Sequence, residues 1–560
     1  MSIILFKSIK SRLIWALILV LFFFSLTTAA EKTDWVDEIF AKWDSTSSPG
    51  AALAVIKDGQ IIYERGYGMA NLEHNIPITP TTVFRIGSTS KQFTATCIAI
   101  LSLQGKISLD DDIRKYIPEM PRYEKTITIR NLVHHTSGIR DYCSLLSFAG
   151  YVSYLDHPTI EETIEIIASQ KNLNFLPGEK YLYSNSGYFL LGIILKRVSG
   201  QTLNQFAQEH IFKPLGMKNT HFHSDLTRIV KNRADGYSPT KNGFRINMST
   251  FDQVGDGGLY TTVQDLYLWD QAFYNHKLGK DLMDLVQTVG KLKNGKKLDY
   301  AFGLGISEYR GLKTVSHGGG WVGFRAGFTR FPEQEFSVVC LANMSSINPS
   351  SLCQKVADIY LSDHFTEEPQ EKKEEKIVAP VKLSEEELKE KAGHYYDEQA
   401  GRWIIISAKE DKLETALRGQ SFLLIPVSKT TFKALDAPYD ITFKFSLSAE
   451  GKPQAKLIMG GEEGAILEKA PPISPLTQKE LREYVGKYYS DELLTTYQIL
   501  NKEETLMAKN RYEPMELEHM APDRFTVEGM NLDFTRNKAN EITGFSLSLG
   551  RARNIHFHKK

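Results

Sequence analysis

The chain is expected to fold as α+β, an antiparallel sheet flanked by helices, followed by two small all-β barrel-like domains. Three observations predict this. Apolar strand patterns stand at both ends of residues 31–365, with helical patterns between them. A charged run almost free of apolar residues, Thr366 to Lys376, follows and opens a charged linker over 366–382. Beyond it, Leu388-Lys389-Glu390-Lys391-Ala392-Gly393-His394-Tyr395-Tyr396 returns 93 residues later as Leu481-Arg482-Glu483-Tyr484-Val485-Gly486-Lys487-Tyr488-Tyr489.

In chain order, Lys7, Lys10 and Arg12 precede an apolar run from Leu13 to Leu26 and the small residues Thr27-Thr28-Ala29-Ala30. This reads as a signal peptide over 1–30, cleaved near Ala30, and predicts a periplasmic or secreted protein. The run is short for a membrane span, and only an uncleaved segment would anchor the chain. Trp35, Ile39, Phe40 and Trp43 mark a first helix. Ala51 to Lys57 and Gln60 to Tyr67 are strands joined by Asp58-Gly59, a two-residue hairpin signal. A core helix runs from Ser88 through Leu103, and helices and polar loops fill about 110–250. Sheet pattern resumes near Phe302. Arg325 to Phe331 and Phe336 to Asn343 flank Pro332-Glu333-Gln334-Glu335, and a closing helix spans Ser351 to His364. Residues 383–470 and 476–560 then form the two β-modules, six to eight short strands each, separated by Pro471-Pro472-Ile473-Ser474-Pro475.

Formal charge is zero over 560 residues and no basic block stands out, which argues against nucleic acid as a partner. Cys97, Cys143, Cys340 and Cys353 are too sparse for a disulfide scaffold and wrongly spaced for zinc. One bridge or four free thiols both fit. No metal or cofactor is called for.

Chemistry is carried by three patterns. Ser88 and Lys91 stand three apart at the first turn of a helix, on one face. The helix dipole and desolvation push such a lysine toward its neutral form, able to take the serine proton. Tyr183-Ser184-Asn185 opens the apolar helix Gly187 to Val198. There a phenol near Lys91, its pKa lowered by the cation, can relay protons to a leaving group. Asn185 can orient Lys91 and bind a substrate carbonyl. In His317-Gly318-Gly319-Gly320 the glycines let backbone amides approach a ligand. The Gly320 N–H can complete an oxyanion hole with the Ser88 N–H, and His317 offers a donor titrating near neutral pH. Taken singly, each pattern also has a structural reading: a capped helix with a solvated lysine, a buried tyrosine with a cap asparagine, or a flexible turn with an exposed histidine.

Together, in this order, they resemble the penicillin-recognising serine hydrolases (peptidase S12-type): class C β-lactamases, D-alanyl-D-alanine carboxypeptidases, D-aminopeptidases and esterases. Leu132-Val133-His134-His135-Thr136-Ser137-Gly138 and Gly257-Gly258-Leu259-Tyr260-Thr261-Thr262 also match. The His135 and Gly257-Gly258 segments are expected to shape the pocket walls. The resemblance covers roughly residues 33–365 and implies the β-lactamase/transpeptidase-like fold. It also implies an acyl-enzyme on Ser88, with Lys91 and Tyr183 sharing base and acid duty and Asn185, His317, Gly319 and Gly320 binding substrate or oxyanion.

One departure matters. Family members that act on penicillins usually carry Lys-Thr/Ser-Gly where this chain has His317-Gly318-Gly319. A lost charge-assisted hydrogen bond weakens a carboxylate's binding roughly 10- to 150-fold. Histidine here is similar to D-aminopeptidases and esterases, some of which carry lipocalin-like β-modules that cover the active-site mouth. The implied function is an exported serine hydrolase of small peptides, amides or esters, with D-residues favoured. The alternatives are a carboxylesterase or weak β-lactamase, and a catalytically silent cell-wall binding protein. Oligomeric state stays open.

Overall fold

The computed structural model describes residues 31–367 and 381–560, apart from 399, 418–419, 436, 438–439 and 460–461. The expected signal peptide and most of the charged linker lie outside the described residues. Among those described, no helix is long and apolar enough to cross a membrane.

The first domain is built on a six-stranded antiparallel sheet. Its strands are β1 (Ala51–Lys57), β2 (Gln60–Tyr67), β3 (Gly305–Tyr309), β4 (Leu312–Trp321), β5 (Phe324–Phe331) and β6 (Phe336–Ala342), in the spatial order β3-β4-β5-β6-β1-β2. Asp58 and Gly59, at φ 50° and 76°, make the β1–β2 hairpin turn that their residue types favour. Both ends of the domain's chain meet where β1 pairs with β6, Ala51 opposite Ala342.

Strand β1 is buried on both faces. Ala51, Leu53 and Val55 face a core made with Val36, Phe40, Leu352 and Val356, that is, with the N-terminal helix and the helix Pro349–Tyr360. Ala52, Ala54 and Ile56 face the larger core with Phe93, Leu190 and Trp269 from the middle helices. The sheet is thus a middle layer. His317-Gly318-Gly319-Gly320, for which a flexible turn is the alternative reading, is the C-terminal half of β4, paired residue by residue with β5, Gly319 opposite Ala326.

After the linker, eight strands between Gly393 and Lys469 close into a barrel with its own core. The strands between Gly486 and Lys559 form a nine-stranded sheet, more than the six to eight expected. The extra strand arises because Met515–Glu516 pairs at one edge and Glu518–Ala521 at the other, so the chain itself bridges the two edges. The repeat has a structural cause. In each module a capped helix (Glu385–Lys391, Gln478–Tyr484) leads into the first strand, and a tyrosine hydroxyl reaches back to the helix end. Tyr395 donates to Lys391 O at 2.8 Å and Tyr488 to Tyr484 O at 2.7 Å. A lysine from the last strand caps the same end, Lys469 to Glu390 O and Lys559 to Glu483 O.

The second module packs on the helical side of the first domain, its apolar interior continuous with that domain's core. A buried cluster fastens it. Arg140 donates to Glu492 Oε1 at 2.6 Å, to Gln170 Oε1 at 2.9 Å and to Asn554 O at 2.9 Å. Tyr497 donates to Phe148 O, and Arg511 stacks on Tyr151.

Candidate active site

The short strand Phe84–Arg85 ends in a 3-10 turn, Gly87–Ser90, that runs directly into the helix Lys91–Leu103. Gly87 has φ 51°, and a Cβ on it would stand 2.6 Å from Gly320 N. Only glycine lets the serine turn lie against the end of β4. A Cβ on Gly319 would stand 1.9 Å from Ile86 O, so the packing is equally tight from the other side.

Ser88 and Lys91 emerge on one face, with Lys91 Nζ 3.2 Å from Ser88 Oγ. The amine also donates to Asn185 Oδ1 at 2.8 Å and to Asp256 O at 2.6 Å. Those two oxygens only accept, so they take two N–H groups whatever the charge state. Burial pushes the Lys91 pKa down to about 8, opposed by the charges of Asp256 and Asp141. Once neutral, the amine keeps both carbonyl bonds and turns its lone pair to the Ser88 hydroxyl, the geometry of a general base. Asp256 is itself buried, which lifts its carboxyl to about 6 against the pull of Lys91, and it accepts from Tyr142 Oη.

Asn185 is the first residue of the helix Asn185–Ser199, and its N–H donates to Asp141 Oδ2 at 2.7 Å. Tyr183 lies two residues before it. Lys91 Nζ is 4.8 Å from the Tyr183 ring centre and the Arg551 guanidinium 4.7 Å from it. The lowered phenol pKa expected from a nearby cation is not what this site produces. Burial raises it, and Ser88 and Arg551 offset only part of the rise. Among the described residues the hydroxyl has no partner of full hydrogen-bond geometry, so its contact with Ser88 is looser than a formed bond. Tyr183 therefore holds its proton at neutral pH.

His317 also departs from expectation. Burial, then Lys91, push it down to about 4, so it is neutral rather than titrating near pH 7. Its Nδ1 is 2.6 Å from Gly318 O, an acceptor, which makes Nδ1 the protonated nitrogen. Nε2 then accepts from Tyr300 Oη at 3.1 Å. The ring shapes the wall and leaves no donor for a ligand.

These groups border a cavity of about 600 Å³, lined by Ser88, Tyr183, Asn185, His317, Gly320 and, from the second module, Arg551. Gly257 and Gly258 are on its wall, as expected. His135 lies one layer back, its ring tilted against that of Tyr183 at 4.2 Å and accepting from Ser184 N. Asp141, Cys143, Asp256 and Arg551 were not singled out by the sequence. Asp141 carries the signature of a helix cap, its carboxylate accepting from Cys143 N and Ser144 N. Arg551 carries no local signal. It sits at the tip of the hairpin between the strands Ile542–Leu549 and Ala552–Lys559, and its carbonyl accepts from Asp141 N. All four cysteines are free thiols. Among the described residues no cluster able to hold a metal is present.

The sequence profile of the Beta-lactamase family matches residues 36–352, more than half of the chain. The chain belongs to the beta-lactamase family. Among relatives, it is 31% identical over 303 residues to a D-aminopeptidase of Gluconobacter oxydans, covering 53% of this chain and 56% of that protein. It is 27% identical to penicillin-binding protein 4* of Bacillus subtilis, over 75% of this chain and 95% of that one. Among solved structures, the octameric penicillin-binding protein homologue from Pyrococcus abyssi superposes with TM-score 0.55 at 25% identity, over 78% of this chain and 99% of its own. The chain spans about half the length of the D-aminopeptidase it matches, so the beta-lactamase family's fold is shared and the activity has to be argued from the site.

Proposed function

We propose that the protein is an exported serine hydrolase that opens amide or ester bonds of small substrates, D-residue peptides foremost, through an acyl-enzyme on Ser88. One observation carries the reading: the Lys91 amine, 3.2 Å from Ser88 Oγ, has its other two contacts on carbonyl oxygens. Neutral Lys91 takes the Ser88 proton as Oγ attacks the carbonyl carbon. The oxyanion is received by the Ser88 and Gly320 N–H groups. Tyr183, held as a phenol by burial, donates its proton to the leaving amine or alkoxide and recovers one from the Lys91 ammonium. Water then attacks the ester by the same route in reverse.

The D-aminopeptidase relative supports the substrate class. So does His317, whose neutral ring lacks the cation that would hold a β-lactam carboxylate. The N-terminal pattern Lys7 to Ala30 supports export. The Leu549–Arg551 tip in the cavity wall supports a restriction to short substrates, and an octameric relative makes self-association a reading to test by sedimentation. Labelling with a fluorescent fluorophosphonate tests the core of the proposal. An adduct on Ser88, absent from Ser88→Ala, is expected. An unlabelled wild type would leave the silent binding protein as the reading.

A further inference from the structure

The cavity wall holds a second arginine that the mechanism does not use. Arg85 pairs with Tyr260 in the strand beside the serine turn and is 7% exposed. Its hydrogen bonding is thin. Nη2 reaches Phe251 O at a long 3.4 Å, Nε has no partner, and none of the described carboxylates pairs with it. Trp321 lies under the guanidinium at 5.9 Å, its own Nε1 unpartnered. The Gln253 amide donates to Pro158 O, leaving Oε1 without a donor. Arg85, Phe251, Gln253 and Trp321 all line the same cavity as Ser88. His223 beside it is held neutral by burial and by Arg85, so it adds no competing positive charge.

A guanidinium that borders a cavity without a counter-charge is a place where an anionic ligand can supply one. We propose that Arg85, with Trp321 and Gln253 beside it, is a subsite for a carboxylate on the acyl half of the substrate. The inference rests on the serine-hydrolase reading and narrows it to acyl groups bearing an acidic side chain. The carboxylate would meet the Arg85 guanidinium, with the Trp321 ring and the Gln253 side chain bordering its place in the cavity.

Glutamyl and glutaminyl 4-nitroanilides, as both enantiomers, differ only in charge at this position. The wild type is expected to favour the glutamyl substrate in kcat/KM by about 10-fold or more. In Arg85→Met that ratio falls to about one, and Arg85→Lys keeps part of it. Glutarate should raise the thermal midpoint of the wild type and not that of Arg85→Met, a readout independent of turnover. Fluorophosphonate labelling of Ser88 reports on each preparation whether the catalytic site is intact. A labelled wild type without a glutamyl preference, or a preference that survives in Arg85→Met, overturns the subsite. A wild type that is not labelled overturns the hydrolase reading instead. A lowered thermal midpoint of Arg85→Met, with glutarate silent on the wild type, assigns Arg85 to the fold alone.

Discussion

At the scale of single residues, a lysine enclosed by two carbonyl oxygens and a hydroxyl links pH to both rate and stability. The Lys91 pKa falls from the ordinary 10.5 to about 8. Between those values the folded chain binds fewer protons than the unfolded one, so this group's contribution to stability rises with pH. Below about 8 the buried ammonium must be kept, and that contribution is at its lowest. Acylation should follow the free amine. We expect kcat/KM for a small ester to climb with pH through about 8. A profile flat from pH 6 to 9 would remove Lys91 as the base. Lys91→Ala should slow acylation by about 10²- to 10⁴-fold. Ser88→Ala should abolish labelling and turnover while moving the thermal midpoint by no more than about 2 °C; continued ester turnover by that variant would place the nucleophile elsewhere. Ser88, Lys91, Tyr183 and Asn185 were legible because each lies at the head of a helix with an apolar body. The proton states of Tyr183 and His317 were not, because they depend on burial in the folded chain and on contacts with distant residues, Arg551 over the Tyr183 ring and Tyr300 on His317.

Among the elements, the end of β4 shows how a sequence pattern can be right in chemistry and misleading in geometry. Three glycines in a row suggest a loose turn, yet here they are a strand whose bare face admits the serine turn. Gly319→Ala would drive a Cβ into Ile86 O and should cost about 3 kcal/mol or more, with loss of acylation. Gly320→Ala meets only the flexible Arg325 side chain at 3.4 Å and should fold normally. Equal unfolding midpoints for the two variants would contradict this packing. The β1–β2 hairpin and the Phe336 strand were legible from Asp58-Gly59 and the Pro332–Glu335 turn, since local residue types set both. The docking of the second module was not, because Arg140 and Glu492 are ordinary charges until folding buries them together. Glu492→Ala should lower stability by about 3–5 kcal/mol by stranding Arg140. Replacing both partners with Arg140→Met and Glu492→Leu should restore much of it, and calorimetry distinguishes the two outcomes.

Across the whole molecule, the two β-modules play unequal parts. The barrel has a separate core, whereas the second module shares its core with the hydrolase domain and reaches the cavity. Shortening the hairpin by removing Gly550 and Arg551 should widen the range of acyl groups turned over, with little change for the smallest ester. An unchanged preference among longer peptides would show that the tip sets no limit. That hairpin also imposes a schedule. Ser88, Lys91 and Tyr183 stand far upstream of Leu549 and Arg551, yet the first domain shares its core with the module that carries that hairpin. The chamber is therefore complete only when the last hairpin has docked, with the Arg551 carbonyl on the Asp141 N–H.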